Sequence, residues 1–269
     1  MFYISDRTAI TAETIGHSLL AQFEGTSAFG EVTIPYVDSP AKAREAVERI
    51  NKAHETDGEL PLVFSTLVEP ESRALIIHAN ALVLDLFHVF LEPLQQALKA
   101  APLIKTQRSH RISNMSSYES RISAIDYSLH HDDGAKTKQY DQADIIMIGV
   151  SRSGKTPTCL YLALQFGIRA ANYPITEEDL SSHELPAPLR PHIDHIHGLT
   201  IQPRRLASIR EQRRAGGRYS SLEQCRAEVK TVEKLYRSYR IPYINTTNMS
   251  VEEIATKVAQ ARGLDRHSH

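Results

Sequence analysis

The stretch Asp144-Ile-Ile-Met-Ile-Gly-Val-Ser-Arg-Ser-Gly-Lys-Thr-Pro-Thr-Cys-Leu-Tyr-Leu-Ala-Leu-Gln-Phe-Gly167 decides the reading of the chain. Ile145 to Ile148 is a short unbroken apolar run, the pattern of a parallel strand buried on both faces. Gly149-Val150-Ser151-Arg152-Ser153-Gly154-Lys155-Thr156 follows at once and fits the Walker A pattern. Pro157 is tolerated in a helix's first turn, and Leu160, Ala163, Leu164 and Gly167 then recur at helical spacing. Strand, glycine loop and helix in direct succession predict a phosphate cradle. The glycines let backbone N–H groups turn inward, and the helix adds the positive end of its dipole. Lys155 is expected to reach the terminal phosphates as a point charge, and the Thr156 hydroxyl to sit on Mg²⁺. All of residues 149–156 are therefore candidate nucleotide contacts, with Thr156 the candidate metal ligand.

Working outward from this unit, Ile168 to Tyr173 and Leu199 to Ile201 read as its next strands, and the acidic, proline-marked stretch 177–191 as a surface excursion. A long helix from about Leu222 to Tyr239, a strand Ile241 to Asn245 and a last helix follow. Ser250 and Glu253 form a capping box for that helix. Toward the N-terminus, Phe2-Tyr3-Ile4 is a strand, followed by a helix with Ile15, Leu19 and Phe23 as its apolar positions. Val32 to Val37 is a second strand, and Ser39-Pro40 opens a helix with Ala43, Val47 and Ile50 on one face. Leu62 to Val68 is a third strand, and Pro70 opens another helix. The apolar stretch Ala74 to Leu91 carries His78, Asn80, Asp85 and His88, too polar to span a membrane, and reads as buried helix. From Lys99 to Tyr118 the periodicity fades into basic residues including Lys105, Arg108, His110 and Arg111, a connector. A helix from about Glu119 with Ile122, Ile125 and Leu129 ends in His130-His131-Asp132-Asp133-Gly134.

Strands alternating with helices predict the α/β class. An N-terminal parallel-sheet domain occupies 1–104, a connector and helix 105–138, and a P-loop kinase-like α/β domain 139–269. The length of 269 residues and 41% hydrophobic content suffice for a real core, and the net charge of −1 gives no pull toward nucleic acid or acidic membrane. Two cysteines, Cys159 and Cys225, offer no disulfide framework. The first residues lack the basic and long apolar regions of a signal peptide, so the expected compartment is the cytoplasm.

Phosphoryl transfer needs charge neutralisation and in-line positioning more than covalent chemistry. Arg204, Arg205, Arg210, Arg213, Arg214 and Arg218, interrupted by Gly216-Gly217, fit that need, although a solvated helix face accounts for most of them. No Walker B carboxylate ends His197-Gly198-Leu199-Thr200-Ile201. The catalytic carboxylate must come from elsewhere, and Asp132 and Asp133 are the candidates beside Lys155, with Asp126 and Asp6 behind them. The spacing of His192, His195 and His197 matches no standard zinc pattern.

The run 149–174 resembles the bacterial regulatory proteins of phosphoenolpyruvate synthase. So do Tyr3-Ile4-Ser5-Asp6, Thr8-Ala9-Ile10-Thr11-Ala12-Glu13, Ala124-Ile125-Asp126-Tyr127, His131-Asp132-Asp133-Gly134, Gly198-Leu199-Thr200-Ile201 and Ser250-Val251-Glu252-Glu253-Ile254-Ala255. The resemblance implies a bifunctional enzyme. It would use ADP to phosphorylate a threonine of phosphoenolpyruvate synthase, inactivating it, and remove that phosphate with inorganic phosphate, releasing pyrophosphate. It also implies a homodimer. Gly154 favours the synthase branch over the related branch acting on pyruvate, phosphate dikinase. Arg7 departs from the small residue commonly found after Ser-Asp in the family. Three other readings of the loop stay open: the same regulator acting on pyruvate, phosphate dikinase, a small-molecule or nucleotide kinase, and a non-catalytic nucleotide-binding switch.

Overall fold

A computed structural model of the chain describes residues 1–23, 30–101, 115–134, 137–182, 184–214 and 216–264. The chain divides into two compact units, Met1–Arg111 and Ile112–His269, each built on a four-stranded parallel sheet. Both domains therefore belong to the α/β class, as the alternation of strands and helices predicts. The helix α5 (Met115–His130) groups with the second unit. The basic residues Lys105, Arg108, His110 and Arg111 lie outside the described residues.

In the first unit, β1 (Phe2–Ile4), β2 (Val32–Ile34), β3 (Leu62–Ser65) and β4 (Leu82–Asp85) lie in the order β2-β1-β3-β4. Phe2 and Ile4 pack toward Ala43, Ala46 and Ile50 of α2 (Pro40–Asp57), while Tyr3 packs on the opposite face with Phe64 and with Ala12 of α1 (Ile10–Leu20). The alternation follows from the two-residue repeat of a strand. Helix α2 begins where expected: Ser39 Oγ accepts the Lys42 N–H, and Pro40 stands at the first helical position. It ends at Gly58, whose φ of 69° is left-handed.

Two expectations fail in this unit. Helix α1 ends at Leu20, before Phe23, and Leu19 and Phe23 are 46% and 66% exposed; of the expected apolar positions Ile15 packs against the core, and the helix approaches the sheet through Ala12 and Gly16. A Cβ on Gly16 would stand 2.5 Å from the Tyr3 ring, so only the smallest residues allow that approach. The single buried helix expected over Ala74–Leu91 is three elements: the end of α3 (Pro70–Ile77), strand β4 and the start of α4 (His88–Leu98). Short apolar runs carry no period that separates helix from strand, and the turn at His78–Ala81 lacks glycine and proline.

In the second unit, β5 (Ile145–Gly149), β6 (Ala170–Pro174), β7 (Ile196–Thr200) and β8 (Tyr243–Asn245) lie in the order β6-β5-β7-β8. Ile146 and Ile148 face one core with Val229, Val232 and Leu235 of α9 (Leu222–Ser238). Ile145 and Met147 face the other, with Cys159 of α6 (Lys155–Tyr161) and Ile254, Ala255 and Val258 of α10 (Val251–Ala261). Both faces of β5 are thus covered, which explains its unbroken apolar sequence. Helix α10 starts at the predicted capping box of Ser250 and Glu253. Helix α6 runs on through a π-type turn at Leu162–Phe166 and stops at Gly167, φ 68°.

Other details of this unit differ from expectation. Helix α5 buries Ala124, Tyr127 and Ser128, while Ile122 and Leu129 are about half exposed. The excursion 177–191 contains α7 (Glu177–Ser182) and sends Leu180, Leu185 and Leu189 into the core. The chain leaves β5 for β6 on one side and returns to β7 on the other. The C-terminal end of β5 is therefore the switch point of the sheet, where crevices form in folds of this type. Among the described residues no helix is long and apolar enough to cross a membrane.

Candidate active site

The loop 149–154 leaves β5 at that switch point and enters α6 at Lys155. Both glycines are required by the geometry. A Cβ on Gly149 would stand 2.6 Å from the Leu199 carbonyl oxygen, and Gly154 has φ 98° at the helix N-cap. Arg152 takes φ 76° at the loop's apex. Six residues of this loop and helix start, Ser151, Arg152, Gly154, Lys155, Thr156 and Pro157, line one cavity of about 520 Å³ together with Asp132, Asp133 and Arg213.

Lys155 is buried, and its ammonium donates to the Val150 carbonyl at 3.1 Å. Burial lowers its pKa to about 8, a shift that the nearby Asp133 carboxylate opposes. An ammonium held near neutrality beside a polar cavity is poised to gain from any anion that enters. Ser153 Oγ is buried with no hydrogen-bond partner among the described residues. Buried hydroxyls are rarely left so, and an acceptor oxygen in the loop would satisfy it.

Across the cavity, Thr156 Oγ1 donates to Asp132 Oδ1 at 2.9 Å. Asn172 of β6 donates its amide to the same carboxylate oxygen and approaches Thr156 Oγ1 at 3.2 Å, while its Oδ1 accepts the Asp133 N–H at 3.2 Å. The Asn172 N–H is in turn held by the His131 carbonyl at 3.1 Å. Asp133 itself adopts φ 49°, the left-handed turn that ends α5. The segment 131–134 is therefore tied to β6 next to the loop, which brings Asp132 and Asp133 beside Lys155 and Thr156. Hydroxyl and carboxylate oxygens of this kind suit a hard cation such as Mg²⁺. Asn172 was not singled out from the sequence, where a lone Asn in an apolar strand gives no signal beyond its polarity.

The arginines separate into different environments. Arg210, on α8 (Pro203–Arg213), is 1% exposed and forms a two-pronged ion pair with Glu228 of α9, at 3.1 and 2.7 Å. It also donates to the carbonyls of Ser151 at 3.1 Å and Tyr219 at 3.0 Å, and its guanidinium lies 4.3 Å from the centre of the Tyr219 ring. The Tyr219 hydroxyl meets Ser151 Oγ at 3.0 Å. Arg210 is thus a brace between α8, α9 and the back of the loop. Arg213, one turn further along α8, lines the cavity; Arg204, Arg205, Arg214 and Arg218 are exposed and do not.

Of the remaining candidates, Asp126 is exposed on α5 within 3.3 Å of His130, and Asp6 is buried in the first unit. His197 is buried in β7, where burial pushes its pKa down to about 4. The described residues contain no group of three His, Cys, Asp or Glu placed to hold a metal ion. Cys159 is a buried core thiol whose pKa burial raises.

Known proteins resemble the chain along nearly its whole length. A protein of Marinobacter nauticus, bearing the provisional name phosphoenolpyruvate synthase regulatory protein, is 56% identical over 266 residues, 99% of this chain and 98% of its own. Relatives with the same provisional name from Hahella chejuensis and Pseudomonas fluorescens are 52% and 51% identical. Each spans 97% of its own length, and they cover 99% and 98% of this chain. Residues 1–259 match the model of the kinase/pyrophosphorylase family, and with these relatives at more than half identity the chain belongs to that family.

Proposed function

We propose that the protein is a bifunctional regulator of phosphoenolpyruvate synthase. With ADP it phosphorylates a threonine of the synthase; with inorganic phosphate it removes that group as pyrophosphate. The observation that carries the reading is the meeting of Lys155, Thr156 and the 132–133 carboxylates at one cavity, in a chain similar from end to end to proteins named as such regulators.

In one direction the threonine oxygen attacks the β-phosphorus of ADP, the P–O bond to AMP breaks, and the threonine proton must go to a base. In the other, an oxygen of inorganic phosphate attacks the phosphothreonine phosphorus, the bond to the threonine oxygen breaks, and that oxygen regains a proton. Both steps move one phosphoryl group between a threonine oxygen and an oxygen of a second phosphate. A single cradle serves both.

Within it, Lys155 and the loop neutralise phosphate charge. Asp132 already accepts hydrogen bonds from Thr156 and Asn172, so it is the carboxylate that together with the Thr156 hydroxyl would hold Mg²⁺. When bound, that ion neutralises charge on the phosphate oxygens. Asp133, exposed to the cavity, is left as the proton acceptor.

The test mixes the protein with phosphoenolpyruvate synthase carrying its phosphorylated intermediate, adds ADP or ATP in parallel, and maps new phosphate by mass spectrometry. A phosphothreonine formed with ADP, and released as pyrophosphate on adding phosphate, is the expected result. Absence of modification with either nucleotide would overturn the reading in favour of a nucleotide-binding switch.

A further inference from the structure

The chemistry proposed above involves two phosphates side by side, in ADP on one limb and in pyrophosphate on the other. The loop offers one buried ammonium, Lys155, to the phosphate it cradles. A diphosphate carries a second phosphate beyond the one the loop holds, and a cationic side chain that lines the same cavity on a support tied to the loop would bind it.

We propose that Arg213 is that cation, the specificity-determining residue that makes the cavity a diphosphate site rather than a monophosphate site. This rests on the phosphate-cradle reading of the loop. Three observations select Arg213. It lines the cavity with Lys155 and Thr156, whereas Arg204, Arg205, Arg214 and Arg218 do not. Its guanidinium makes no ion pair with any described residue, so its fork of N–H donors is available to two oxygens of one phosphate. Its helix is fixed to the loop: Arg210, three residues earlier, is bound to Glu228 and to the Ser151 carbonyl in a site closed to water. Arg210 thus spends its charge internally and sets the position from which Arg213 acts. Arg152 also lines the cavity, but it rides on the loop and belongs with the phosphate that the loop holds.

The inference separates two ligands that differ only in length. Binding of pyrophosphate and of inorganic phosphate is measured by calorimetry in the presence of Mg²⁺ for the full-length wild type, Arg213→Gln, Arg213→Lys, and Arg204→Gln as an exposed control outside the cavity. Arg213→Gln is expected to weaken pyrophosphate at least tenfold while changing inorganic phosphate less than threefold. Arg213→Lys, which keeps the charge and loses the fork, should fall between. Arg204→Gln should match the wild type.

Equal losses for both ligands, or no loss for pyrophosphate, would overturn the assignment. So would a wild type that binds pyrophosphate no better than phosphate. Since Arg213 is exposed, unchanged circular dichroism and thermal midpoint are expected and exclude misfolding as the cause of a loss. The measurement needs no protein substrate. If the synthase is not modified but pyrophosphate preference still depends on Arg213, the regulator reading fails and the diphosphate site stands.

Discussion

Lys155 shows how one burial decides a site's chemistry. Its position after Gly154 follows from the motif, but its proton affinity follows from the cavity wall, which removes water from the ammonium and brings the pKa from 10.5 to about 8. A bound phosphate would stabilise the charged form and raise that pKa again. Between about pH 8 and the ordinary lysine value, phosphate binding therefore takes up a proton, and affinity falls as pH rises, by as much as about tenfold per pH unit. Titrating ADP at pH 9 in two buffers of different ionisation enthalpy should give different apparent enthalpies, while at pH 7 the two should agree. Identical enthalpies at pH 9 would mean that Lys155 keeps its proton in the free protein. The residues legible from sequence at this scale were those whose type is tied to a spacing: Gly149, Gly154, Lys155 and Thr156. Asn172 was not legible, because its role comes from register. The pairing of β5 with β6 sets it opposite Met147 and next to Asp132, a relation that no local pattern encodes.

At the scale of elements, the helices and strands that declared themselves had end signals or unbroken apolar runs: Ser39-Pro40 to Gly58 for α2, Ser250 with Glu253 for α10, and Ile145–Ile148 for β5. Strand β4 and the buried faces of α1 and α5 lacked such signals, since Ala12, Gly16 and Ala124 make close packing through small size rather than hydrophobic periodicity. Arg210 is the opposite case, an arginine in a basic run that looks solvated and is among the largest fully buried side chains of the described residues. Replacing it by Met strands the Glu228 carboxylate, and should destabilise the fold by about 3–5 kcal/mol, read as a lower denaturant midpoint. The double variant Arg210→Met with Glu228→Leu should recover much of that loss, yet still bind pyrophosphate weakly, because nothing then holds the Ser151 carbonyl. Full recovery of binding would show that the brace serves stability alone. His197 in β7 gives a second, independent handle. Its folded-state pKa of about 4 lies below the ordinary 6.5, so the unfolded chain takes up the proton first as pH falls. Its contribution is complete above about pH 6.5 and is lost down to about pH 4, at about 1.4 kcal/mol per unit, roughly 3 kcal/mol in all. Urea midpoints between pH 7 and 4.5 should fall less steeply for His197→Leu than for the wild type, and parallel slopes would refute this origin.

At the scale of the molecule, every described residue that lines the cavity belongs to the unit Ile112–His269, and so do both hydrophobic cores that cover the two faces of β5. The brace Arg210–Glu228, the Asn172 network and the capping of α10 are likewise internal to it. A unit of this size, with a sheet covered on both sides, has the apolar burial that independent folding requires. The fragment 112–269 should therefore fold with a single cooperative transition and bind pyrophosphate within about threefold of the full chain, an upper limit set at less than ~1 kcal/mol of lost contact. The proposed transfer to a protein substrate is a separate demand, because that substrate must also be positioned, and uniform binding of a diphosphate does nothing for that. If the fragment binds pyrophosphate fully but phosphorylates no threonine, the first unit contributes to recognition of the protein substrate and not to the phosphate site. If pyrophosphate binding itself drops tenfold or more in a folded fragment, the first unit supplies part of the anion site, and the assignment of all the phosphate contacts to residues 132–213 would have to be abandoned.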